Sequence, residues 1–149
     1  MTIIKDMGKN GISLPCYGEA IVEGYVYKEY STTNQMTKIS AKGDEAFAVA
    51  LSSTLDPQLG SAKTMTAGDN WEFALLGSKM IVTVASKTGT TYQFGGIVYL
   101  CDDVDGMVNA TAATSRPIGH YVGPDALATT ASGQLIQVYL DIPIGTATA

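Results

Sequence analysis

Glu45-Ala46-Phe47-Ala48-Val49-Ala50-Leu51 is the stretch on which the fold class turns. Alternation places Phe47, Val49 and Leu51 on one face of a strand, whereas Phe47, Leu51 and Leu55 would line a helix. A second stretch, 71 residues further on, decides between them. Ile118-Gly119-His120-Tyr121-Val122 lines up with residues 47–51, and its internal glycine and its Gly123-Pro124 stop suit a strand. The parallel runs further. Gly24-Tyr25-Val26-Tyr27 resembles Gly96-Ile97-Val98-Tyr99 at an offset of 72, and Met36-Thr37-Lys38-Ile39 matches Met107-Val108-Asn109-Ala110 at 71. Each half reads strand, turn, short strand, turn, strand. That pattern predicts an internal pseudo-repeat and makes 45–51 a strand.

Further strands follow from the same signals. Trp71, Phe73 and Leu75 alternate on one face that should be core, and Met80–Val84 forms a run bounded by Gly77-Ser78 and Lys87-Thr88-Gly89. Asp105-Gly106 ahead of Met107-Val108 is a hairpin signal. Leu135–Leu140 is the last strand. Eight to ten short strands with turns every 8 to 12 residues imply an all-β fold, a small antiparallel β-barrel or β-sandwich. Residues 1–19 stand apart: Ile3, Ile4, Met7, Ile12 and Leu14 fit no single register. They read as an extended N-terminal arm, ordered where a partner receives it. The expected organisation is this arm, one β-domain over 20–145, and a frayed tail over 146–149.

The chain has 149 residues, enough for a core without metals or disulfides. Charged residues make up 15% of it, below the usual figure of about 25%. Small neutral residues fill the gap: 17 Thr, 17 Ala, 16 Gly and 10 Ser. Such a composition implies a surface partly hidden against partners. Nine Lys and Arg against fourteen Asp and Glu give a net charge of −5. The basic residues are scattered singly, so nucleic acid and anionic membranes are not expected partners. The longest apolar run, Met80–Ala85, is far short of the ~20 residues of a spanning helix. The N-terminus lacks the apolar core of a secretory signal, and Cys16 and Cys101 accordingly read as buried thiols.

No arrangement of residues points to catalysis. His120 is the only histidine, so a histidine-based metal site is not expected. Cys101 beside Asp102 or Asp103 lacks the nucleophile-elbow context of a hydrolase. Asp102-Asp103-Val104-Asp105-Gly106 is the one acidic cluster, but a calcium loop with Gly106 in sixth place would put Cys101 first and Ala112 last. Lys87-Thr88-Gly89 is a turn, and Asn109-Ala110-Thr111 fits a glycosylation sequon without an export signal. The expectation is a protein that is not an enzyme and binds no metal or cofactor.

The strand pattern resembles the tailed-phage head decoration, or capsid cement, proteins. It runs Gly24-Tyr-Val-Tyr27, Ile39-Ser-Ala-Lys-Gly-Asp44, Ala48-Val-Ala-Leu51, then Gly96-Ile-Val-Tyr99, Gly106-Met-Val108 and Ile118-Gly119. The resemblance spans roughly residues 19–142 and lies in pattern, without a signature residue. It implies a β-tulip-like domain that decorates a virion as a homotrimer on the capsid exterior and clamps neighbouring major capsid protein subunits. An arm contacting the partner through Ile3, Ile4, Met7, Ile12 and Leu14 would suit that role by adding a strand to a sheet edge. The alternative is another structural or binding β-module: a tail, fibre or surface-layer subunit, or a carbohydrate binder using Trp71 and Phe73.

Overall fold

Short alternating runs punctuated by glycine turns leave the backbone little option but strands paired with strands. A computed structural model of the chain describes residues 2–3, 11–15, 21–30, 35–51, 64–65, 70–101, 104–112 and 114–147. Among these residues there are fifteen strands and no helix. After β1 (Thr2–Ile3) come β2 (Gly11–Pro15), β3 (Ile21–Val22), β4 (Val26–Glu29), β5 (Met36–Lys38), β6 (Ala48–Ala50), β7 (Thr64–Met65) and β8 (Asn70–Leu75). The second half contains β9 (Ile81–Ser86), β10 (Thr91–Tyr92), β11 (Ile97–Leu100), β12 (Val108–Asn109), β13 (Pro117–Tyr121), β14 (Leu127–Ala128) and β15 (Gln134–Tyr139). Apart from β2, the strands beyond the ten anticipated are two-residue pairings, too short to leave an alternation in the sequence.

The two halves are the same unit twice. The first sheet runs β2-β8-β6-β4-β5 and the second β9-β15-β13-β11-β12, with the two-stranded pairs β3-β7 and β10-β14 beside them. Each strand from β2 to β8 thus has its counterpart seven strands later, and β1 alone has none. The match extends to single hydrogen bonds. Gly24 N–H donates to Ala50 O as Gly95 N–H does to Tyr121 O, and Ala50 N–H donates to Tyr25 O as Tyr121 N–H does to Gly96 O. Likewise Tyr25 N–H donates to Val22 O as Gly96 N–H does to Gln93 O. The offset here is 71 throughout, so Gly24 corresponds to Gly95, one residue before the match read from sequence. Both glycines take positive φ, 79° and 82°. Met36 and Val108 hold equivalent register positions, again one residue from the sequence match.

The halves differ at one edge. In the second unit β12 reaches the outer edge of β9 through a single parallel pairing, Val108 opposite Ser86, which draws the ladder into a ring. In the first unit β1 sits on the outer edge of β2, and among the described residues the sheet stays open. Residues 11–15, read from sequence as arm, are therefore an interior strand of the first sheet. β2 pairs antiparallel with β8 from Gly11↔Ala74 to Pro15↔Asn70.

Core position follows from these pairings, because residues directly opposite one another share a face. Val26, Val49 and Ala74 of the first sheet join Val84, Leu100 and Val138 of the second in one buried cluster. On the other face of the first sheet, Ile12, Tyr27, Ala48, Ala50 and Phe73 form a second cluster, where the Tyr27 and Phe73 rings meet edge to face at 5.3 Å. Main-chain bonds stitch the units together. Val26 N–H donates to Gly106 O and Ala85 N–H to Gly24 O, each at 2.8 Å. Gly24 is tied to this junction, since a Cβ there would lie 2.6 Å from Leu135 Cδ2 and 3.1 Å from Ala85 N. At Gly95 a Cβ would meet nothing within 4 Å.

A bracket at the rim reinforces the junction. Arg116, ahead of β13, donates from Nε to Asp44 O at 2.7 Å, from Nη2 to Gly43 O at 3.1 Å, and from Nη1 to Thr146 O. Thr146, read from sequence as frayed tail, is thereby held. The Asp44 carboxylate accepts from Lys28 Nζ, Ser40 N–H and Ala41 N–H at 3.0, 2.8 and 3.1 Å. Partial burial alone would raise the Asp44 pKa, but the Ser40, Lys28 and Ala41 hydrogen bonds together outweigh it and hold the carboxyl below its usual range.

Two predictions follow from this geometry. Gly95→Ala carries only the positive-φ cost and should lower stability by about 1 kcal/mol. Gly24→Ala adds overlap with Leu135 and should lower it by about 2–4 kcal/mol, measured by denaturant unfolding; equal losses would contradict the junction. A depressed Asp44 pKa contributes stability that is complete above about pH 4 and lost as the pH falls through the folded-state value. Asp44→Asn should therefore reduce the drop in melting temperature between about pH 6 and pH 3. A drop as steep as that of the wild type would contradict that assignment.

Candidate functional site

The duplication exposes one face that its counterpart buries. In the first unit a cross-strand row runs Val26–Val49–Ala74–Gly11 over β4, β6, β8 and β2. The same pairings in the second unit give Ile97–His120–Tyr139–Ile81 over β11, β13, β15 and β9. Val26, Val49 and Ala74 are fully buried, whereas Ile97 is 41% and Ile81 64% exposed. Small apolar side chains suit a face pressed onto another sheet. Large, partly amphipathic ones occupy the equivalent face turned to solvent, with half-buried Tyr99 next to Ile97 along β11. A row that carries two exposed isoleucines at its ends and spans four strands of one sheet is a candidate interaction surface.

His120 is the member of this row that meets a carboxylate. Its Nδ1 lies 2.7 Å from Asp141 Oδ1, with side chains 34% and 28% exposed. The pair stands on the open face between Ile97 and Tyr139. Asp102 and Asp103, the carboxylates considered beside Cys101, lie outside the described residues. Asp141 follows Tyr139, the strand neighbour of His120, by two positions; only strand pairing could have revealed it. Among the described residues, no three His, Cys, Asp or Glu side chains come together as metal ligands would.

Inside the second unit the polar groups serve the fold. Tyr92 and Ser86 hydroxyls lie 2.7 Å apart, and Tyr92 also donates to Val108 O at 3.3 Å. Burial pushes the Tyr92 phenol well above its usual pKa, against the opposing pull of its Ser86 hydrogen bond. Thr129 Oγ1 ties the turn after β9 by donating to Lys87 O at 2.7 Å. Asn109 of the sequon is buried, and its Oδ1 accepts from Thr111 N–H at 3.1 Å. Cys101 is buried against Ala85 and Met107, while Cys16 lies outside the described residues.

The five arm residues fare differently. Ile12 is expected on a partner-facing arm, but it is 4% exposed and packs with Tyr27 and Phe73 of its own chain. The physical reason is β8, which offers Gly11–Pro15 an in-chain edge. Ile3 lies in β1 opposite Ile12, and Leu14 lies in β2 opposite Trp71. Ile4 and Met7 lie outside the described residues. Phe73 is fully buried, so it offers no surface for a sugar.

No protein-family model matches the chain, and no curated protein sequence matches it.

The row equivalence predicts opposite tolerances at matched positions. Val26→Asp buries an unpaired carboxylate between the units and should cost more than about 4 kcal/mol, enough to unfold a marginal domain. Ile97→Asp at the matching position should change monomer stability by less than about 1 kcal/mol. Chemical denaturation of both variants checks this, and similar losses at the two sites would contradict the assignment of faces.

Proposed function

We propose that the chain is a structural virion protein that sits on the outside of a phage capsid as a homotrimer and bridges major capsid protein subunits. The observation that carries this reading is the open first sheet. Among the described residues its ring is left unclosed, and β1 lies at its outer edge, where an added strand from a capsid subunit would gain main-chain hydrogen bonds. The second unit, whose ladder meets itself, has no equivalent opening on β9. The interaction is non-catalytic: it needs a free edge and a compatible surface, and a net charge of −5 suits the outside of a shell better than its genome-facing interior.

This reading narrows the partner-facing segment. With β2 built into the sheet and Ile12 in the core, the proposed contact falls on β1 and the residues ahead of β2. Each contact of this kind is small, but a symmetric oligomer multiplies it. Deleting residues 2–10 should leave thermal unfolding cooperative and abolish co-sedimentation with shells assembled from the major capsid protein of the same genome. Deleting residues 2–18 removes β2 as well and should unfold the first unit. If the 2–10 deletion binds shells as the full chain does, the edge-bridging reading is wrong.

A further inference from the structure

Turn 22–25 of the first unit and turn 93–96 of the second are the same turn, closed by matched main-chain bonds around a glycine at positive φ. Their surroundings differ. The first is seated on an edge of β9: Gly24 O accepts from Ala85 N–H at 2.8 Å, a Cβ on Gly24 would strike Leu135, and Glu23 is buried. The second has no such seat. Among the described residues no N–H donates to Gly95 O, and a Cβ on Gly95 would meet nothing within 4 Å. Phe94, the counterpart of Glu23, is 65% exposed. We propose that turn 93–96 docks on a free strand edge of a capsid subunit, with Gly95 O accepting a main-chain N–H and Phe94 as the apolar anchor.

The matched turn identifies the kind of occupant. Turn 22–25 is received by an outward main-chain N–H of a strand and one leucine side chain. A chain with an unpaired strand edge offers both. A second copy is the poorer fit, because its matching edge, that of β2, already carries β1 against Ile12 and Ser13. Turn 93–96 is also preorganised. Phe94 N–H donates to Asp125 Oδ1 at 3.0 Å and the Tyr121 hydroxyl to Pro124 O at 2.6 Å, so the loop after β13 braces the turn and little freedom is left to lose on binding. A chain that bridges two capsid subunits needs two separate contacts. β1 supplies one on the first unit, and turn 93–96 supplies the other on the second. The identity of the partner rests on the capsid reading; the docking element itself comes from the duplication.

The test is co-sedimentation of the full-length protein and its Phe94→Asp variant with shells assembled from the major capsid protein of the same genome. Thr88→Asp, on the exposed turn after β9, serves as control. The Thr88 variant should bind as the wild type does, and the Phe94 variant about tenfold more weakly, as expected for loss of an aromatic anchor. Thermal melts show whether the Phe94 variant keeps its fold. Should it lose that fold, hydrogen exchange across residues 93–97 of the wild type replaces it as readout and must slow on shell binding. A Phe94 variant that binds as tightly as the wild type, or exchange across 93–97 unmoved by shells, would overturn the inference and leave the β1 contact standing. A Phe94 variant that changes only the oligomeric state would place a second copy on the turn and overturn it too. A wild type that binds no shells overturns the capsid reading and this inference with it.

Discussion

The burial of one cross-strand row against a neighbouring sheet holds this molecule together. Val26, Val49 and Ala74 lie on three adjacent strands of the first unit and press onto the apolar interior of the second. Fully burying a valine side chain contributes about 1.5–3 kcal/mol, so the row represents a large share of the few kcal/mol by which a domain of this size is stable. The small side chains there let the sheets approach closely enough for Val26 N–H and Ala85 N–H to bond across the junction at 2.8 Å. Gly24 belongs to the same constraint. Its positive φ is shared with Gly95, but only at Gly24 does a neighbouring unit leave no room for a Cβ.

From that packing follows the asymmetry of two otherwise equivalent halves. A duplicated unit has two copies of each face, and an end-to-end pair can cover only one of them with its own chain. The covered copy has become small and apolar. Its uncovered counterpart carries isoleucines, tyrosines and a histidine hydrogen-bonded to Asp141, residues that tolerate water and also bind well. The low charge of the chain acquires a location in this way. Part of it is the uncharged outer row of the second unit, and part is the doubled requirement for buried apolar strands.

The all-β class, the strand character of 48–50 and the repeat were legible because each leaves a local signal: alternation, a turn glycine or a shared spacing. β2 was not, since Gly11-Ile12-Ser13-Leu14-Pro15 is short and ends in proline. Continuing the 71-residue repeat backwards would have laid it over Val82–Ser86, one residue from Ile81–Ala85, the stretch it matches in the structure. The direction of each face was also hidden. Ile81-Val82-Thr83-Val84-Ala85 is apolar at almost every position, so nothing in the run shows that Val82 and Val84 point inward and Ile81 outward. The partnership of His120 with Asp141 depends on which strand lies beside β13, and sequence periodicity carries no information about neighbours.

The central claim is that matched rows of the two units face opposite environments. Methyl NMR of the protein at low concentration, with a soluble paramagnetic agent added, tests this directly. The account predicts strong relaxation of the Ile81 and Ile97 methyl signals and almost none for those of Val26 and Val49. Equal relaxation at the two rows, or protected Ile81 and Ile97 methyls in the monomer, would contradict it.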